Sequence, residues 1–330
     1  MVAMSVFPAI YSTLSPQALI DGVLSKYELS QIDRCLFWNR GLSDIYLIET
    51  QKSSYILKVS HHHWRSKTDI QFELEFLDFL YRQDIPVAHP LKTKTGKLFV
   101  VVNAVEGDRY AALFPYAPGE VPQGDLDFEQ SKIMGQTLGK IHASALKFSN
   151  STPRQSLDLK YLLDDSFQTI ASYLRCQSQD LAYLEQAIVK IKQQLACLEQ
   201  TSPFWSVCWG DPHSGNVHFT EDNQITLFDF DQCGYGWRVF DIAKFLQVSL
   251  SAGIKRNIRD GFLVGYQEIQ ELTDAEISSL QALTQTAHIW AWAISINATA
   301  IHNWCRLDDF YTKKHLHQLK RLGTKDWQLF

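Results

Sequence analysis

Several things are missing from this 330-residue chain. Its six cysteines, at positions 35, 176, 197, 208, 233 and 305, form no C-x-x-C pair, which argues against a zinc site or a disulfide framework and fits a reduced cytosolic enzyme. There is no basic block, and the net charge is −5, so a phosphate-neutralising patch for nucleic acid is not expected. No apolar run reaches the ~18 residues of a membrane span. The opening MVAMSVFPAIYSTL lacks the basic start and long apolar centre of a signal peptide. Internal repeats and low-complexity tracts are also absent. What remains is an ordinary globular composition, 45% hydrophobic, long enough for two lobes.

The informative stretch is CWGDPHSGNVHFTEDNQITLFDFD, from Cys208 to Asp231. Val217 to Phe219 and Gln224 to Phe228 read as short strands, and Glu221-Asp222-Asn223 between them is a turn signal. Such a hairpin brings Asn216 close to Asp229. An amide oxygen beside a carboxylate suits a hard cation such as Mg2+. Asp211, just before the hairpin, sits near that cation without having to bind it. D-x-x-x-x-N followed by a second acidic metal ligand is the spacing that protein kinases use for phosphoryl transfer. Alone, D-x-x-x-x-N is a common string; with the hairpin and Asp229 it is far more specific.

GDPHSGN and LFDFDQCGYGWRVFDIA resemble the catalytic loop and metal-binding strand of the aminoglycoside phosphotransferase and choline kinase-like superfamily. The wording G-D-x-H-x-G-N is shared with its bacterial stress-response Ser/Thr kinase subgroup. The likeness runs from about Leu36 to the last helix. It implies an α+β, two-lobed protein-kinase-like fold, with a small antiparallel sheet in the N-terminal lobe and a mainly helical C-terminal lobe. Members usually carry His before the Gly-Asp pair, where this chain has Trp209.

The partners expected of such a site lie upstream. Lys58 stands between Ile56, Leu57 and Val59 in a strand, where a buried ammonium needs a counter-charge. It resembles the family's ATP-binding lysine; an edge-strand lysine facing water is the plainer reading. On the next helix, for which Thr68 and Gln71 suggest a capping box, Glu73 shares a face with Phe76, Leu77 and Leu80, whereas Glu75 shares one with Asp78 and Arg82. Glu73 is therefore the expected partner. The turn before Ser43 has only Gly41 to cover ATP phosphates, so Ser43 is a candidate donor there, with a plain hairpin turn equally open. IPVAHP reads as the opening of a strand. Pro115 has no N–H, which leaves the Tyr116 or Ala117 amide for adenine, and Pro118-Gly119 marks the boundary between lobes 1–117 and 118–330. His61 to His63 read as an exposed connection, and His142 as a packed structural residue.

The resemblance also makes Asp241 a support for the catalytic loop rather than a participant. Helices are expected at 252–271, 273–285 and 286–305. Trp290 and Trp292, roughly 200° apart on a helix, together with Asp308 and Asp309, suggest an acceptor wall at the C-terminal end; burial of both indoles is the competing reading. The function expected is transfer of the ATP γ-phosphate, with Mg2+, to a hydroxyl of a small molecule of aminoglycoside, amino alcohol or sugar type. A Ser/Thr protein kinase and a nucleotide-binding regulator without turnover stay open, because fold alone does not choose among them. Neither nucleic acid nor membrane is an expected partner.

Overall fold

The computed structural model describes residues 8–123, 126–174, 177–302 and 306–329. Two compact units are present. The first takes in the chain as far as Tyr81 and again Ala88–Ala117; the second takes in Arg82–Val87 and the chain from Pro118 on.

In the first unit, α1 (Pro16–Gly22) is capped by Ser15, and Pro16 takes the first helical position as the sequence suggests. Five strands follow: β1 (Ile32–Arg40), β2 (Ser43–Thr50), β3 (Ser54–Ser60), β4 (Val100–Ala104) and β5 (Gly107–Pro115). They pair in the order β1-β2-β3-β5-β4, with every neighbour antiparallel. The pleat separates the two faces of β3. Leu57 and Val59 join Leu19, Val23, Tyr46 and Leu113 in the core, and Lys58 is turned the other way. Helix α2 (Lys67–Arg82) carries Glu73 on its buried side. Its N-terminal box is Ser66 with Asp69 rather than Thr68 with Gln71, because the S-x-x-D pattern begins one residue before the helix. The strand expected from IPVAHP is only an isolated bridge at Val87, since Pro86 and Pro90 withhold the N–H groups a ladder needs.

A buried charge cluster ties the segment before α1 to this sheet. Arg109 is fully buried and donates to Asp44 Oδ2 at 2.9 Å, to Ser60 O at 2.8 Å and to Ser12 O at 2.8 Å. Tyr11 donates to Asp44 from the same segment, and His61, also buried, reaches the same carboxylate. Burial would raise the Asp44 carboxyl, but His61, Tyr11 and Arg109 outweigh it and hold it well below the usual carboxylate range. The exposed connection expected at residues 61–63 therefore contains one buried, structural histidine.

The second unit is mainly helical: α3 (Phe128–Ala145), α4 (Ser166–Tyr173), α5 (Ser178–Leu195), α6 (Arg238–Ala252), α7 (Arg256–Gln267), α8 (Asp274–His302) and α9 (Asp309–Leu322). Between α5 and α6 lie two small ladders, β6 (Trp205–Cys208) with β9 (Gly234–Trp237), and β7 (Val217–Phe219) with β8 (Ile225–Leu227). Helices α3 and α7 pack closely because Gly135 has no side chain; a Cβ there would come within 2.0 Å of Phe262 O. The break expected at residues 285/286 does not occur, since Gln285-Thr286-Ala287 offers neither Gly nor Pro to end α8. Trp290 packs on Tyr161 and Phe240, while Trp292 stacks on His315 of α9, so both indoles are core. Asp308 caps α9, and Asp309 accepts from Gln177. The described helices include none long and apolar enough to cross a membrane.

His288 Nε2 donates to His315 O at 3.0 Å. Burial pushes His288 down to about 4 and His315 down to about 3. Below the usual imidazole value of 6.5, the unfolded chain therefore takes up protons that the folded one refuses, and stability falls as pH drops from 6.5 towards 4. Urea midpoints at pH 7 and pH 5 should show a larger loss for wild type than for His288→Gln. Equal losses would contradict this account.

Candidate active site

Strand β6 delivers the chain into Trp209-Gly210-Asp211. The Trp209 and Gly210 amides donate to Asp241 Oδ2 at 2.7 Å and Oδ1 at 2.8 Å. Asp241 is fully buried in the first turn of α6. His142 Nε2 lies 2.9 Å from the same Oδ2, and the Tyr266 hydroxyl lies 2.9 Å from His142 Nδ1. Burial raises the Tyr266 phenol far above its ordinary value, which keeps it a donor. His142 is thus a brace, as expected. His142, Cys208 and Asp241 do come within 4.8 Å of one another, a spacing metals accept. Burial, however, pushes the Cys208 thiol well up, and its Sγ donates to Trp237 O at 3.3 Å, so the group reads as a hydrogen-bonded support.

Gly210 has φ +88°, and a Cβ there would come within 2.2 Å of Gln232 O. Only glycine lets the loop pass this close while aiming Asp211 outward from it. Lys244 Nζ approaches Asp211 Oδ1 at 3.3 Å, Gln232 Nε2 donates to Oδ2 at 2.8 Å, and His213 Nε2 lies 3.6 Å from Oδ2. Burial alone would raise the Asp211 carboxyl; the Lys244 charge, followed by His213, reverses this and holds it well below the usual range. Asp211 is therefore an anion that is already positioned.

The β7–β8 ladder pairs Val217 with Leu227, and Phe228 N donates to Asn216 O at 3.0 Å. The backbone of the hairpin's open end thus pairs Asn216 with Phe228, the residue before Asp229. Asn216 Nδ2 donates to Asp211 O at 3.1 Å, so its amide oxygen is the atom left to face a cation. Asp229 adopts φ +59°, an uncommon conformation for a residue with a side chain. The Trp209 indole helps to hold it, donating to Asp229 O at 3.1 Å while stacking on Phe230. Trp209 thus supplies a ring N–H at the position where the sequence resemblance leads one to expect histidine.

In the first unit, Lys58 Nζ and Glu73 Oε1 are 3.0 Å apart, and Glu75 instead accepts from Gln71. Ser43 opens β2 and is buried. The Tyr116 amide donates to Ser54 O at 3.1 Å, so that N–H is already used, and its ring stacks on Trp38. Sequence reasoning missed Lys244 and Gln232. Lys244 was findable: it lies at i+3 from Asp241 in an apolar helix, the same kind of anomaly that marked Lys58.

An ion pair set in apolar elements of each unit, with a clamped carboxylate before an Asn/Asp hairpin, defines a phosphotransferase of kinase-like fold. Comparison with known proteins agrees. Residues 37–278 match the phosphotransferase enzyme family, and the chain belongs to that family. An uncharacterized protein of Synechocystis sp. is 52% identical over 329 residues, which is 100% of this chain and 91% of that one. The amicoumacin kinase of Bacillus subtilis is 26% identical over 265 residues, 76% of each chain. A solved amicoumacin kinase, in complex with AMP-PNP, Ca2+ and Ami, superposes with a TM-score of 0.77 at 23% identity, covering 94% of this chain and 93% of its own.

Two predictions follow from this geometry. Trp209→Phe keeps the stacking and removes the N–H, so unfolding free energy should fall by about 1 kcal/mol and turnover should drop as Asp229 loosens. An unchanged urea midpoint with full turnover would exclude the bracing role. Lys58→Ala and Glu73→Ala should each be destabilising, and the double variant should fall short of their sum by roughly 0.5–3 kcal/mol. Strict additivity would mean that the pair does not act as a unit.

Proposed function

We propose that this enzyme transfers the γ-phosphate of ATP to a hydroxyl group of a small molecule of aminoglycoside, amino alcohol or sugar type. The observation that carries the reading is Asp211: an ionised carboxylate, clamped on both oxygens and set before a hairpin whose backbone pairs Asn216 with Phe228, next to Asp229. The donor set of Asn216 amide oxygen and Asp229 carboxylate fits a hard divalent cation. A magnesium ion held by these two residues would neutralise phosphate charge.

In this reading Asp211 accepts the hydrogen bond of the incoming hydroxyl and orients its oxygen for in-line attack. The oxygen–phosphorus bond forms, the bond from the γ-phosphorus to the β–γ bridging oxygen breaks, and ADP leaves. The hydroxyl proton passes to Asp211. A carboxylate held below its usual range is a weak base, which suits a loose transition state in which the proton moves late. Lys58, fixed by Glu73, contacts the α and β phosphates. Ser43 serves the phosphate side of the nucleotide. Tyr116 serves the adenine side through its ring, since its amide is spent on Ser54.

The test is to incubate the protein with γ-labelled ATP and Mg2+, alone, with a panel of hydroxyl metabolites and with lysate protein. Label should appear on a small molecule, and Asp211→Asn should lower that transfer by at least about 10²-fold, the scale of a lost positioned proton acceptor, while ATP binding survives. Normal turnover by Asp211→Asn, or label on protein alone, would overturn the proposal.

A further inference from the structure

The turn that joins β1 to β2 has two faces. Ile45 lies across from Lys58 and Ser43 across from Ser60, so Ser43, Ile45 and Lys58 share the face assigned to the phosphates above. Asp44 and Tyr46 belong to the opposite face, and Arg40 lies across from Asp44. The tip between them is thinly supported. Among the described residues, and apart from its chain neighbours, a Cβ on Gly41 would meet no atom within 4 Å. Such a turn samples many positions unless something holds it.

What holds it lies behind. The Arg40 guanidinium donates to Thr13 Oγ1 and, through Nε, to Asp44 Oδ1 at 3.2 Å, and its centre lies 4.1 Å from the Tyr11 ring centroid. Tyr11 donates to the same Asp44 oxygen, and Arg109 donates to the other. The segment that carries Tyr11 and Thr13 is fixed away from the turn. Ser12 Oγ donates to Glu106 Oε2 at 2.6 Å, and the Tyr46 hydroxyl donates to Leu14 O at 2.9 Å. Residues 11–14 thus form a strap behind the sheet, and Arg40 ties the turn to it. The tie is not a core contact: the Arg40 side chain is 32% exposed, where an ion pair adds little to folding stability. A long side chain fixed at three points for so little stability serves the placement of the turn it stands on.

We propose that Arg40 is a positioning residue for the nucleotide: it ties the β1–β2 turn to the strap 11–14 and so keeps the turn seated over the terminal phosphates. The strap acts from the face opposite the ligand. It therefore governs the grip on the β and γ phosphates and leaves the base and the α phosphate to other residues. This rests on the nucleotide reading given above and deepens it.

Binding of AMP-PNP and of AMP, each with Mg2+, separates the two ends of the ligand, and ligand-observed NMR follows both without turnover. Arg40→Met keeps the stem and removes the guanidinium. Its affinity for AMP-PNP should fall roughly 10-fold, the scale of one lost charge-assisted hydrogen bond, with AMP within about two-fold of wild type. Arg40→Lys, which reaches one partner instead of two, should fall between. Thr13→Val, at an exposed position, should weaken AMP-PNP binding in the same direction, and it carries the test if Arg40→Met does not fold. Combining the two should bring no further loss, because both cut one tie. AMP-PNP should also slow amide exchange at Gly41, whose N–H donates to Ser43 O at 3.0 Å, in wild type and less so in Arg40→Met. Equal losses for AMP-PNP and AMP would make Arg40 merely structural and overturn the proposal, as would unchanged affinity for both. If AMP-PNP does not bind wild type, or binds without slowing Gly41, the nucleotide reading itself fails and the proposal falls with it.

Discussion

The Asp241 carboxylate is the interaction on which the rest of the site depends. It takes the Trp209 and Gly210 amides on its two oxygens and is backed by His142 and Tyr266. Two consecutive backbone N–H groups pointing inward leave the following residue, Asp211, directed away from the core. Everything downstream inherits that choice. Asn216 is bonded to the Asp211 carbonyl, and the Trp209 ring holds the strained Asp229. Charged hydrogen bonds to backbone donors are among the stronger ones available in a low-dielectric interior, and here none of the partners is left over.

A second regularity, among the described residues, is that two lysines set inside apolar elements each meet a carboxylate. Lys58 in β3 meets Glu73, and Lys244 in α6 meets Asp211. The two pairs do different things. Glu73 is spent on holding its lysine, whereas Lys244 lowers the proton affinity of a carboxylate that is itself expected to meet a hydroxyl. Burying such pairs is costly, so they speak for function more than for stability.

The kinase-like fold was legible in the sequence for local reasons. The turn at Glu221 to Asn223 sets the register of the β7–β8 hairpin, and the apolar stripe of α2 puts Glu73 on the buried side with Lys58. What was not legible depends on contacts distant in sequence. Gln232 is bonded to a residue 21 positions earlier, and nothing in D-Q-C-G announces it. Trp292 reads equally well as cleft wall or core until α9 supplies His315. The capping box at Ser66 and the unbroken α8 were local signals whose boundaries were misplaced, by residues that are individually weak helix punctuators.

The dependence on Asp241 is most directly measured by amide hydrogen exchange at Trp209 and Gly210, resolved residue by residue. Both amides should exchange as slowly as the core of β6 in wild type, and Asp241→Asn should release these two while the β6–β9 ladder stays protected. Rapid exchange at either amide in the wild-type protein, or no change on substitution, would contradict the account that this one carboxylate holds the Trp209–Asp211 loop in place.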